Sequence, residues 1–194
     1  KNALPRVTLV GRVNVGKSTL FNRLTESHKA LVSPVAGTTR TRNESEVLWR
    51  GKRFLLTDTG GLAIDEGVEL REEIIKQTNA AMYESNMIVF VVDGQVGILP
   101  EDRALAKRIR EMQRPILLLV NKIDSDGDEL RARHMPWRAL GCGDPLFIAG
   151  KSSRGAGDTL ETIFKILQKT STRPKITKDR KTAPITVAII GKPN

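Results

Sequence analysis

Eight residues near the start of the chain, Gly11-Arg-Val-Asn-Val-Gly-Lys-Ser18, constrain the fold more than any other stretch. They follow a short apolar run, Val7 to Val10, and precede the helical spacing Leu20, Phe21, Leu24, so they read as the loop of a strand–loop–helix unit. Glycines there let backbone N–H groups wrap a phosphate at a helix N-terminus, where the helix dipole favours negative charge. Gly11, Arg12, Val13, Asn14, Val15, Gly16, Lys17, Ser18 and Thr19 are therefore the candidate phosphate-contacting set. Lys17 is expected to reach the β and γ phosphates. Ser18 is expected to give its hydroxyl oxygen to Mg²⁺, an ion that keeps several waters and needs few protein ligands.

The remaining chain continues the alternation. Residues 46–50 and 52–57 flank Gly51 as a hairpin whose second strand runs into Asp58. A helix is expected over 69–84, strands over 87–92, 115–120 and 145–149, and a helix around Leu105, Ile109 and Met112. A last helix, with Leu160, Ile163, Phe164 and Leu167 on one side, is expected to open with a capping box from Asp158 to Glu161. Strands alternating with helices predict an α/β fold, a doubly wound, mostly parallel sheet with helices on both faces and ligands at the carboxyl ends of the strands. With the phosphate loop, this pattern resembles the P-loop NTPase (Ras-like) fold.

A phosphate loop alone leaves the base undecided. Asn121-Lys-Ile-Asp124, at the end of an apolar strand, supplies the choice. The Asp124 carboxylate can accept both the N1–H and the 2-amino hydrogens of guanine, whereas adenine offers neither and leaves a buried carboxylate unpaired. Sites built this way reject the wrong analogue by about 10⁴-fold. Asn121 is expected to tie this turn to the phosphate loop, and the Lys122 stem to cover the base. Asp58-Thr59-Gly60-Gly61 is the third element, with Asp58 holding Mg²⁺ through water and the Gly61 N–H sensing the γ-phosphate. Gly37-Thr-Thr-Arg40 supplies a further Mg²⁺ ligand, Thr39 in preference to Thr38. Ala149, Gly150 and Lys151 are expected to offer backbone N–H groups to the guanine O6.

Charge and composition bound the surroundings. Of the formal charge of +10, residues 165–181 alone contribute +6, with seven Lys or Arg against Asp179. Any attraction to polyanions is thus expected mainly on that segment. The single cysteine, Cys142, excludes an internal disulfide and suits the cytoplasm or an organelle interior; it reads as a loop sulfur without a role. His28 and His134 are far apart and lack partners at metal spacing, so both read as surface residues. Trp49 and Trp137 read as residues packed over the core rather than base-stacking groups. No apolar run approaches a membrane span and no signal-peptide pattern is present, which predicts a soluble protein without membrane contact. Residues 1–168 read as one nucleotide domain and 169–184 as a basic linker around Pro174 and Lys175. Residues 185–194 are expected to be the first strand of a truncated or unobserved second nucleotide domain, because Val187, Gly191 and Asn194 repeat Val7, Gly11 and Asn14.

Together the sequences GRVNVGKS, GTTR, DTGGL, VDG at Val92 to Gly94, NKID and the restarting VAIIGKPN resemble the EngA family, also called Der, of tandem-domain GTPases. The resemblance covers nearly the whole chain. It implies GTP hydrolysis to GDP and phosphate as a switch in large ribosomal subunit assembly, with contacts to ribosomal RNA and proteins, a second G domain and a KH-like domain in cis. Leu62 stands where Ras-like enzymes carry the glutamine that orients attacking water, and leucine cannot do that. The resemblance further implies that Asn14 is associated with a bound K⁺ near the phosphates, and that turnover is slow and potassium-stimulated. Lys17, Asn14, Thr39 and Gly61 are then the residues closest to the chemistry. Three positions depart from the family pattern: Val13 replaces a proline, Thr41 an aspartate, and Ala149-Gly150 a Ser-Ala pair. Two other readings stay open: a nucleotide sensor with negligible turnover that gates a second domain, and a single-domain GTPase of the Era or tRNA-modification type.

Overall fold

The computed structural model describes residues 3–26, 43–59 and 78–171. Strands β1 (Arg6–Val10), β2 (Asn43–Trp49), β3 (Lys52–Asp58), β4 (Met87–Asp93), β5 (Ile116–Asn121) and β6 (Leu146–Phe147) form one sheet in the order β2-β3-β1-β4-β5-β6. The β2–β3 hairpin is antiparallel and every other pairing is parallel. The helices are α1 (Lys17–Glu26), α2 (residues 78–84), α3 (Pro100–Glu111), α4 (Asp126–Arg133) and α5 (Ala156–Ser171), with a 3₁₀ turn over Trp137–Leu140. This is the doubly wound α/β arrangement expected from the motif order.

The central strands explain why both faces are covered. All seven residues of β4 are buried, as a parallel strand between two helical layers must be. Alternation then sorts side chains between two cores. Val7, Leu9, Met87, Val89, Val91, Leu117 and Leu119 meet Leu20 and Leu24 of α1 and Leu160, Ile163, Phe164 and Leu167 of α5. Val10, Ile88, Phe90, Val92, Leu118 and Val120 meet Met82 of α2, Ala106 and Ile109 of α3, Ala132 of α4, and Trp137 and Leu140. Trp137 is buried and donates its indole N–H to the Ala132 carbonyl at 2.6 Å. Trp49 is half-buried against the first core, and its N–H points to Glu161 at 3.5 Å. Both tryptophans are therefore packing residues, as expected.

Local chemistry sets the helix starts. Pro100 opens α3, and the Asp102 carboxylate accepts the Leu99 N–H at 3.0 Å. Ser125 caps α4 by accepting the Asp128 N–H at 3.1 Å, while Asp128 accepts the Ser125 N–H at 3.0 Å. The last helix departs from expectation. It starts at Ala156, so Asp158 lies inside its first turn, and Glu161 faces Trp49 and Arg50 of the hairpin instead of a cap. The chain turns early at Gly155, which takes a left-handed φ of +77° beside the Phe147 carbonyl, where an added Cβ would collide. At its other end α5 runs to Ser171, three residues past the boundary drawn at 168. Strand β6 is shorter than the expected 145–149 because Ala149 leaves the ladder to pair with Arg154. Cys142 lies in the loop between the 3₁₀ turn and β6, as expected, but it is buried in the second core as a packing group, where loss of hydration pushes its thiol up. His134 is exposed, as expected, and His28 lies outside the described residues.

Among the described residues no helix is long and apolar enough to cross a membrane. Phe54 is fully buried and meets Phe164 edge-on at 5.2 Å between ring centres, joining the hairpin to α5. Phe54→Ala is expected to cost about 3–5 kcal/mol in urea unfolding, whereas Leu130→Ala, at a residue 62% exposed, stays within about 0.5 kcal/mol.

Candidate nucleotide-binding site

The phosphate loop leaves the end of β1 and enters α1 at Lys17, with Val15 inserted into the first core as its anchor. Two glycines are required by contact. A Cβ on Gly11 collides with the Val91 carbonyl oxygen, and one on Gly16, at φ +91°, collides with the Asn121 side chain. Between them Asn14 takes a left-handed φ of 63° and is exposed, with no side-chain hydrogen bond among the described residues. Val13, Ser18 and Thr19 are also exposed. The Lys17 side chain is buried and folds back across the loop to donate to the Arg12 carbonyl at 2.7 Å. Burial pushes this amine below its ordinary value, and Arg12 adds to that, while the negative charge of Asp58 opposes it. The ammonium is thus held over a loop whose amides ask for an anion.

The turn expected to read the base is built onto the same loop by Asn121. Its amide nitrogen donates to the Val15 carbonyl at 2.8 Å, and its amide oxygen accepts the Gly150 N–H at 3.0 Å. One buried side chain thus joins three segments that are more than a hundred residues apart at their extremes. Lys122 follows at φ 68°, with its ammonium 2.7 Å from Asp93. Asp124 is exposed at the turn. Gly16, Thr19, Asn121, Lys122, Asp124, Gly150 and Lys151 line one pocket together with Gln95. Of the three amides expected to meet the guanine O6, that of Ala149 is bonded to the Arg154 carbonyl at 3.0 Å and that of Gly150 to Asn121. The Lys151 amide is the donor not already engaged in this way among the described residues.

Asp58 ends β3 fully buried, close enough to Lys17 for its charge to act on the amine. A carboxylate there and the Ser18 hydroxyl at the head of α1 are hard oxygen donors, which suits Mg²⁺. Among the described residues no group of three or more His, Cys, Asp or Glu could hold a metal by itself. Thr59 turns its hydroxyl away, into the sheet, donating to the Leu9 carbonyl at 2.7 Å; only its backbone is left for the ligand. Thr38, Thr39, Gly60, Gly61 and Leu62 lie outside the described residues.

Two residues at the site escaped the motif reading. Arg23 of α1 donates to the Gly150 carbonyl at 3.2 Å and the Lys151 carbonyl at 2.8 Å, tying α1 to the pocket's rim. Its only sequence signal is a cation between Phe21 and Leu24 on an apolar helix face. Asp93 was read only as part of VDG, although an acid closing an otherwise apolar strand already marks it as unusual.

Comparison with known proteins identifies the family of this chain. The family model described as 50S ribosome-binding GTPase matches residues 6–122. The chain is 39% identical over 188 residues to GTPase Der of Porphyromonas gingivalis, covering 97% of this chain and 42% of that protein. It is 40% identical over 192 residues to GTPase Der of Synechococcus sp., covering 99% and 41%. The chain therefore spans about two fifths of the length of these curated relatives. A solved structure of Era with MgGDPNP and a segment of 16S ribosomal RNA superposes with a TM-score of 0.65 at 25% identity, covering 85% of this chain and 57% of that one. Aquifex aeolicus Era bound to GDP and aluminium fluoride superposes equally, at 0.65, with 24% identity and the same coverage, and supports the fold. With its phosphate loop and its NKID turn joined in one pocket, the chain belongs to the 50S ribosome-binding GTPase family.

Proposed function

We propose that this chain binds GTP with Mg²⁺ and hydrolyses it slowly to GDP and phosphate, acting as a conformational switch in assembly of the large ribosomal subunit, and that it is the first of two G domains. The observation that carries the reading is the single pocket lined by Gly16, Asn121, Lys122, Asp124 and Lys151. Phosphate contacts and guanine contacts meet there at the carboxyl ends of β1 and β5. Lys17 and the loop amides bind the phosphates, Ser18 and Asp58 are the Mg²⁺ donors, and Asp124 reads the base. When bound, Mg²⁺ supplies charge neutralisation between the β and γ phosphates. Thr39 and Gly61 are proposed to sense the γ-phosphate.

Slow turnover follows from Leu62, which has no group to orient water. Potassium dependence rests on Asn14, whose exposed side chain on the loop is available as an oxygen donor. The ribosomal reading draws on the family description and on a surface that charge counts along the chain overlooked. On α3, Arg103, Lys107, Arg108 and Arg110 are exposed and form no ion pair with any acid among the described residues. Such a helix suits the phosphates of RNA. The repeat at 185–194 supports a second G domain in cis, and a KH-like domain is proposed from the resemblance. The cytoplasm or an organelle interior is the proposed location.

The reading is tested by steady-state hydrolysis of GTP, with ATP as control, in potassium and in sodium chloride at equal ionic strength. Turnover of GTP alone, faster in potassium, is expected; tight GTP binding without turnover in either salt would replace the enzyme by a nucleotide sensor. Asn121→Ala removes two buried hydrogen bonds worth about 1–1.5 kcal/mol each, and GDP affinity measured by calorimetry is expected to fall by about 100-fold. Lys17 adds a pH signature. Its folded value lies below the ordinary 10.5, so between the two values the unfolded chain holds more protons and stability rises with pH. Bound phosphate favours the ammonium and reverses the shift. Nucleotide binding at a pH between the folded and ordinary values of this amine is therefore expected to take up protons, read from calorimetry in buffers of different ionisation enthalpy, and Lys17→Met abolishes the uptake.

A further inference from the structure

Lys122 sits in a conformation that its sequence does not favour. A lysine at φ 68° has its Cβ crowded by the carbonyl, a strain of about 1–2 kcal/mol that persists only where the surroundings over-determine it. The turn it occupies must hold that shape, because Asn121 before it and Asp124 after it point into the same pocket.

The surroundings that fix it come from the end of β4. Asp93 lies opposite Asn121 in the parallel β4–β5 register, which sets the carboxylate beside the first residue of the turn. Its side chain is 3% exposed, and one oxygen meets the Lys122 ammonium at 2.7 Å. The other oxygen accepts the Gln95 N–H at 2.9 Å and the Val96 N–H at 3.2 Å, so the carboxylate cannot swing away. Burial pushes this carboxyl up, but Lys122 and the two amides outweigh it and hold the group below the usual carboxylate range. Gly94 completes the platform. Its N–H donates to the Asn121 carbonyl at 2.8 Å, and a Cβ there collides with the Ile123 side chain. The guanidinium of Arg12 reaches the same Asp93 oxygen at 4.0 Å and Asp102 at 3.4 Å, so the phosphate loop and the base turn share one buried anion.

We propose that Asp93 is a positioning residue for guanine recognition, clamping the Lys122 ammonium so that its aliphatic stem and the following Asp124 are set for the base before nucleotide arrives. The inference rests on the reading of the pocket as a guanine site. It assigns the acid of the Val92-Asp93-Gly94 sequence a part in base affinity, although the side chain is held behind Lys122.

The test is a double-mutant cycle on GDP affinity, with Asp93→Asn and Lys122→Met in the full chain. Asparagine keeps an oxygen for the Gln95 and Val96 amides while removing the charge. Asp93→Asn is expected to weaken GDP binding by about tenfold, and the double variant is expected to bind no more weakly than the weaker single. Asp93→Ser, which also keeps an acceptor, is expected to show the same loss. Wild-type GDP affinity in Asp93→Asn overturns the inference, as does a double variant whose loss is the product of the two. It is also overturned if Asp93→Asn is additive with Lys122→Met but non-additive with Arg12→Gln, which assigns the acid to the phosphate loop. Failure of both Asp93 variants to fold, seen in urea unfolding, makes the pair structural and overturns it too. If the unaltered chain binds no guanine nucleotide, the reading of the pocket falls; if it binds and Asp93→Asn binds equally, only the inference falls.

Discussion

The Asn121 side chain is the joint on which the site depends. It donates to the Val15 carbonyl and accepts from the Gly150 amide, and it does so while almost fully buried. A primary amide suits this place because it has both a donor end and an acceptor end, which a carboxylate or an ammonium lacks. Burial makes each bond costly to lose, so the three segments keep a fixed relation. Gly16 is glycine for the same reason, since the amide of Asn121 occupies the space a Cβ there needs. The tight approach of loop to turn thus links a glycine early in the chain to an asparagine far along it.

Around that joint the domain uses charge sparingly and in buried places. Arg12, Asp93, Asp102 and Lys122 form a connected group at the carboxyl ends of β1, β4 and β5 and the start of α3. Breaking such a pair leaves an uncompensated charge behind, so these contacts specify geometry more than they add stability. The exposed pairs, such as Arg138 with Asp144, contribute little, because solvent screens both partners. Stability comes from the two apolar layers, which carry the sheet and leave its carboxyl edge free for polar work.

The motif reading was most accurate where chemistry is local. A phosphate loop announces its own strand, turn and helix, and the alternating burial of β1, β4 and β5 follows from runs of apolar residues. It was least accurate where one segment's shape depends on another. The start of α5 was placed three residues late because the left-handed turn at Gly155, where a Cβ would meet the Phe147 carbonyl, is set by a tertiary neighbour. The guanine O6 loop was read as three free amides, and two of them are already engaged by Asn121 and Arg154. Cys142, flanked by glycines, looked like a loop residue, and only the packing of the second core explains its burial.

By itself, the sequence determined the α/β class, the strand–loop–helix unit at residues 11–18, the turn at residues 121–124 and the order of strands along the chain, because each is encoded by residues within a dozen positions of one another. Tertiary structure decided the rest. Only the sheet register brings Asp93 beside Asn121, only the packing of α1 brings Arg23 to the carbonyls of Gly150 and Lys151, and only burial selects which charged side chains are held in place. The physical reason is that hydrogen bonds and ion pairs act over a few ångströms in space, and no local pattern records which distant residue will stand there.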